Sequence, residues 1–240
     1  MHIDINCDMG EGIGRDAEIM PYITSANIAC GYHAGYEETM RATALLAKSH
    51  GVHVGIHPSF FDQKNFGRTE MACTPEEVYE LVSKQLILFK QVTKDIDVVI
   101  HHVKPHGALY NMAAREASLA EAICTAVKDF DERLVLYGLS GSHLISEANR
   151  LGLQNMQEVF ADRTYGEDGS LTPRSKPDAL IEDEEAVVKH VMQMVEEKTV
   201  TTIAGKQIPI HADTVCIHGD GKHAVLFAKR LHAALQKFIS

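Results

Sequence analysis

Fourteen histidines stand in a chain of 240 residues whose formal net charge is −10, and imidazole both ligates metals and moves protons near neutral pH. Several of them close apolar runs. His57 ends Val52-His53-Val54-Gly55-Ile56-His57, His218 ends Thr214-Val215-Cys216-Ile217-His218, and His33 follows Ala26-Asn27-Ile28-Ala29-Cys30. Lys104 lies between His102 and His106 in His101-His102-Val103-Lys104-Pro105-His106-Gly107. Asn6, Asp8 and Glu11 close the first run, and Asp162 with Arg163 follows another. Asp8, His33 and His57 offer one carboxylate and two imidazoles, a set suited to a zinc-like divalent ion with a position left for water. Such an ion acidifies its water and polarises a carbonyl. The same groups also suit metal-free work, as a general base and oxyanion donors around a substrate held by Lys104. Each has a plainer alternative. Asp8 suits a turn cap, and His33 and His57 suit hydrogen-bonded core positions. Lys104 is harder to explain away, because an inward ammonium demands an anionic partner or substrate. His50, His190, His211, His223 and His232 fall in helical or polar stretches and read as surface residues.

The elements that carry these groups follow from periodicity. Segments 3–8, 26–30, 52–57, 98–104, 134–137, 156–160 and 214–218 carry strand signals, about seven in all. Helical patterns fill the gaps. Thr74-Pro75-Glu76-Glu77 supplies an N-cap, a first-turn proline and a capping-box glutamate ahead of an apolar stripe from Val78 to Val92. Val187 to Val195 and Val225 to Leu235 repeat the pattern. Strands alternating with helices predict a parallel sheet covered by helices, an α/β fold closed as a barrel or open and doubly wound. Polar groups at the carboxyl ends of most strands favour the barrel. Strand parity then sorts the faces. If Ile3, Ile5, Val54, Ile56, Val215 and Ile217 meet outer helices, then Asn6, Asp8, His57 and His218 point inward, and His102, Lys104 and His106 share one parity. Segment 166–177 is polar and turn-rich and reads as a long loop over an edge or a site.

Composition narrows the function. With 45% hydrophobic and 23% charged residues, the chain is globular, and its length suits one domain over 1–240. The acidic balance argues against nucleic acid as a partner. No apolar run approaches a membrane span, and the start Met1-His2-Ile3-Asp4 lacks the features of a signal sequence, so a cytoplasmic location is expected. Five scattered cysteines form neither a disulfide framework nor a thiolate zinc motif. No Walker-type phosphate loop is present. Gly10-Glu11-Gly12-Ile13-Gly14 lacks dinucleotide-binding spacing and reads first as a turn.

Four blocks carry a resemblance: 4–12 (Asp-Ile-Asn-Cys-Asp-Met-Gly-Glu-Gly), 25–35 (through Cys30-Gly31-Tyr32-His33-Ala34-Gly35), 103–111 (Val103-Lys104-Pro105-His106-Gly107 onward) and 158–165 with Leu171-Thr172-Pro173-Arg174. Together they resemble the signatures of the LamB/YcsF family, in order along the whole chain. The resemblance implies a seven-stranded parallel β/α barrel related to NodB-like deacetylases. It also implies the A subunit of an ATP-dependent 5-oxoprolinase, which opens the lactam of 5-oxo-L-proline to L-glutamate with partner subunits B and C, ATP being used by the assembled complex. On that reading Asp8, His57, His106 and His218 are catalytic, and Asn6, Glu11, Lys104, Asp162, Arg163 and Arg174 contact substrate. Two other readings stay open: a stand-alone metal-dependent deacetylase or amidohydrolase, and a lactam-binding component without chemistry of its own. Segments 58–69 and 221–223 depart from the family pattern and bear on which lactam fits.

Overall fold

The structure, a computed structural model, describes residues 2–239. Seven parallel strands close into a barrel: β1 (Asp4–Met9), β2 (Ser25–Ala29), β3 (His53–His57), β4 (Ile100–Val103), β5 (Val135–Leu139), β6 (Asn155–Phe160) and β9 (Thr214–Ile217). Between β6 and β9 lies an antiparallel pair, β7 (Thr199–Thr201) and β8 (Gln207–Pro209). The choice left open by periodicity is therefore settled for the barrel, and the strands fall within a few residues of their predicted places. The β7–β8 pair leaves no mark in the sequence, because three-residue strands are too short to show a period.

Helices wrap the outside: α1 (Asp16–Ile19), α2 (Glu37–His50), α3 (Pro75–Thr93), α4 (Gly107–Arg115), α5 (Ala117–Phe130), α6 (His143–Leu151), α7 (Glu184–Met192) and α8 (Ala224–Leu235). The α3 start is the predicted capping box: the Thr74 hydroxyl accepts the Glu77 amide, and the Glu77 carboxylate accepts the Thr74 amide at 2.8 Å. Ile3, Ile5, Cys7, Ile56, Val215 and Ile217 are buried in the apolar shell between strands and helices, as parity requires. Among the described residues no helix is long and apolar enough to cross a membrane.

The opposite parity fills the barrel with polar groups, and these are satisfied by one another. At the amino-terminal end Asp4 accepts the hydroxyls of Thr24, Ser25 and Thr214, and Ser25 also meets the Tyr137 hydroxyl at 3.1 Å. One layer up, Asn6 donates to Thr214 Oγ1 at 2.7 Å and accepts from Asn27 at 2.8 Å, while His102 Nε2 meets Asn27 Oδ1 at 2.8 Å. The His102 ring stacks on Tyr137 with centroids 4.2 Å apart. Gly55 makes room for it: a Cβ there would lie 2.0 Å from His102 Nε2. A polar interior is tolerable only when its donors and acceptors are paired. His190 departs from its surface expectation. It is half-buried against Tyr165, and burial pushes its imidazole down to about 4.

Candidate active site

At the carboxyl end of the barrel a cleft of about 710 Å³ is lined by Asp8, His57, Lys104, His106, Arg163, Arg174 and His218, with Asp168 to Leu171 and Pro173 of the polar loop along one side. Asn6 does not reach this cleft; it lies one layer below, within the barrel network.

Lys104 emerges from β4 with a side chain that is buried, the residue being 2% exposed. It donates to Asp8 Oδ1 at 2.8 Å and to Cys216 Sγ at 3.0 Å, and lies 3.0 Å from Glu158 Oε1 and 3.3 Å from Asn6 Oδ1. The anionic partners that its burial demands are thus supplied by the protein itself. Burial opposes its charge, but Asp8, Cys216 and Glu158 outweigh that and hold the pKa well above the ordinary lysine value. Burial likewise pushes the Asp8 carboxyl up, and His57 and Lys104 overcome it, holding Asp8 well below the usual carboxylate range. Asp8 is therefore an ionised acceptor at neutral pH. Glu158 Oε2 receives the Tyr110 hydroxyl at 2.7 Å.

Around Asp8 the imidazoles gather. His57 Nε2 lies 3.3 Å from Asp8 Oδ2 and 2.8 Å from His106 Nδ1. His33 is close by but turned elsewhere: its Nε2 meets Glu11 Oε1 at 3.1 Å, its Nδ1 meets Ser59 Oγ at 2.8 Å, and its ring stacks on His106. The trio of Asp8, His33 and His57 expected from the sequence is thus divided, and Glu11 and His106 join the cluster. Ligand atoms of Glu11, His33, His57 and His106 all lie within 4.8 Å of one another, as do those of Asp8, Cys216 and His218. Burial, reinforced by Asp8 and Asp220, raises the Glu11 carboxyl well above its usual value.

Across the cleft His218 Nδ1 meets Asp162 Oδ1 at 2.7 Å, and its ring stacks on Phe160. Asp162, expected among the substrate contacts, orients this imidazole; burial pushes its carboxyl up and His218 more than compensates, leaving it lowered. Arg163 donates to the carbonyls of Thr172 and Ala179 and so pins the polar loop. Burial and the neighbouring Arg174 push its guanidinium down to about 10. Arg174 is half-buried on the cleft wall, and burial and Arg68 lower its pKa. Arg68 reaches the same cleft and bonds Asp220 at 2.6 Å.

A profile of the LamB/YcsF family matches residues 3–239. The chain belongs to the LamB/YcsF family. It is 56% identical over 238 residues to the A subunit of 5-oxoprolinase from Geobacillus thermodenitrificans, covering 98% of this chain and 93% of that protein. It is similar to the crystal structure of a lactam utilization protein from Thermus thermophilus, with a TM-score of 0.90, 42% identity, and coverage of 99% and 97%. The peptidoglycan deacetylase PdaC of Bacillus subtilis shares the fold alone, at a TM-score of 0.50 and 10% identity over 98% of this chain and 83% of that one.

Several cleft groups of this LamB/YcsF barrel are not marked out by the sequence. Glu158 shares inward parity with Phe160, but Met156 and Gln157 blur the alternation there. Parity places Cys216 inside without giving it a role. Arg68 and Tyr110 sit in a loop and a helix, where no strand rule aims a side chain.

Proposed function

We propose that this chain is the A subunit of an ATP-dependent 5-oxoprolinase, acting with partner subunits B and C to hydrolyse the lactam of 5-oxo-L-proline to L-glutamate. The observation that carries the reading is near-complete alignment at 56% identity to a protein of that name. The cleft suits the chemistry. A small cyclic amide with a carboxylate needs a cation, a base for water and charge control at the amide oxygen. Arg174 is the cation best placed for the carboxylate, since Lys104 and Arg163 are engaged within the protein and Arg68 with Asp220. His218 is the base: with Nδ1 held by the Asp162 carboxylate, its Nε2 takes the proton of the attacking water and returns it to the departing ring nitrogen. Asp8 stays ionised beside His57 and steadies positive charge at the cleft floor while negative charge builds on the substrate.

ATP is used by the assembled complex. In the glycine-rich turn after β1 the Gly10 amide is donated to Asp16 at 2.9 Å.

The test is co-expression with B and C subunits, followed by measurement of 5-oxoproline-dependent phosphate and glutamate release. Turnover should require all three chains, and His218→Gln should lower kcat by about a hundred- to ten-thousand-fold. Full activity in His218→Gln would make this a lactam-binding component. ATP-free turnover by the isolated chain would make it a stand-alone amidohydrolase.

A further inference from the structure

Hydrogen-bond donors run short on the cleft floor. His57 Nδ1 lies 2.6 Å from the Lys104 carbonyl oxygen, and His106 Nε2 lies 2.9 Å from that of Phe66. A carbonyl only accepts, so each ring directs its N–H there. The remaining nitrogens, His57 Nε2 and His106 Nδ1, carry lone pairs and face each other at 2.8 Å. Two further acceptors crowd the same point: Asp8 Oδ2 is 3.3 Å from His57 Nε2, and Glu11 Oε1 is 3.8 Å from His106 Nδ1. Two imidazole lone pairs therefore face each other with a carboxyl group beside each ring.

Buried carboxylates surround the point. Asp8, Glu11 and Glu158 are all buried here; Lys104 meets Asp8 at 2.8 Å and Glu158 at 3.0 Å, whereas Glu11 is met by His33 at 3.1 Å.

We propose that this point binds a first-row divalent cation, ligated by His57 Nε2, His106 Nδ1 and the Glu11 carboxylate, with Asp8 Oδ2 closing the shell. Metal–nitrogen and metal–oxygen bonds of about 2.0–2.1 Å in a tetrahedron place ligand atoms about 3.3 Å apart, and the observed separations of 2.8, 3.3 and 3.8 Å bracket that value. Imidazoles with the outer N–H bound to a backbone carbonyl are oriented for ligation. His33 is a positioning residue. Its ring stacks on His106 at an interplanar angle of 8° and 3.8 Å away, and its Nδ1 is taken by Ser59 at 2.8 Å. It holds Glu11 instead, at 3.1 Å. The site shares the cleft with the proposed hydrolysis but does not depend on its substrate.

The experiment uses the purified chain, chelator-treated and desalted, titrated calorimetrically with zinc and then cobalt, alongside elemental analysis of untreated protein. One equivalent of metal should bind. His106→Ala and Glu11→Gln should weaken binding more than about a hundred-fold, and His33→Gln by about ten- to a hundred-fold. Absence of stoichiometric binding of both zinc and cobalt to the wild-type chain would overturn the proposal, as would unaltered affinity in folded His106→Ala. Should that variant fail to fold, the paramagnetically shifted imidazole protons of the wild-type cobalt complex count the ligands. Two rings are expected; any other number overturns the assignment. Lactam turnover is not a readout, so failure of the hydrolase reading leaves this test intact.

Discussion

The two ends of one barrel use the same side-chain types to opposite effect. At the amino-terminal end Asp4, Ser25, Thr214, Tyr137 and His102 form a closed network, in which the carboxylate meets hydroxyl donors and the imidazole a definite acceptor. At the carboxyl end Asp8, Glu11, His57 and His106 crowd together with acceptors outnumbering donors. A satisfied network specifies a structure, whereas an unsatisfied one stores free energy that an incoming ligand can release. Burying polar groups is therefore no sign of function by itself. Surplus of one sign or one hydrogen-bonding type is.

Lys104 is where the two ends meet, and removing it gives the largest effect. Lys104→Met leaves Asp8 and Glu158 buried without their shared cation, which should cost about 3–5 kcal/mol of stability. Urea denaturation of the variant chain measures this. A loss below about 1 kcal/mol would mean that Asp8 and Glu158 find protons or other donors easily, and the open end would be less dependent on a cation than its geometry suggests.

Next comes the closed end alone. Gly55→Ala drives a methyl group into the His102 ring, with 2.0 Å to Nε2 where nothing but a shift of a stacked, buried ring gives relief. The expected cost is about 1–3 kcal/mol, read as a fall in denaturation midpoint, with metal affinity at the open end preserved. A simultaneous loss of metal binding would show that the ends are mechanically coupled and blunt the contrast between them.

How much of this is legible in the sequence depends on the same contrast. The strands and their parity can be read because backbone periodicity carries them, so the interior places of Asn6, Asp8, His57 and Lys104 are accessible from residue numbers alone. Partnerships are not. Whether Lys104 meets a substrate or Asp8 and Glu158 depends on register between strands far apart in the chain. Likewise Glu11 and His106 lie past their strand ends, where no period aims a side chain. His33 shows the limit well: its motif suggests a ligand, and only its stacking on His106 redirects it.

At the open end Arg174 offers a smaller effect confined to binding. Arg174→Gln keeps a polar side chain of similar reach and removes the charge, so stability should hold within about 0.5 kcal/mol. KM for 5-oxoproline in the assembled complex should rise by roughly ten- to a hundred-fold, the loss expected for one charge-assisted contact. An unchanged KM would move the carboxylate to Arg68 or Arg163, and a drop in kcat alone would place Arg174 on the reacting group instead.

The smallest effect is a titration at the closed end. Burial, aided by His101, His53 and Lys104, holds His102 well below the ordinary imidazole value, so it stays neutral in the folded chain. The unfolded chain gains a proton at this position as pH falls below about 6.5, and the folded one does not. Stability contributed here is therefore intact above the unfolded pKa and declines as pH falls toward the folded one, at about 1.4 kcal/mol per pH unit for one such group. His102→Gln removes the titration, while the introduced amide retains a donor for Asn27 Oδ1. The variant's stability deficit should accordingly shrink by about 1 kcal/mol between roughly pH 7.5 and 5.5, measured by urea denaturation of metal-free protein at both values. Because this is a difference between variant and wild type, the many other titrating groups cancel. An identical pH dependence in both chains would mean that His102 is already charged when folded. The closed end would then also carry a surplus, and the distinction between the two ends would have to be drawn from the cation site alone.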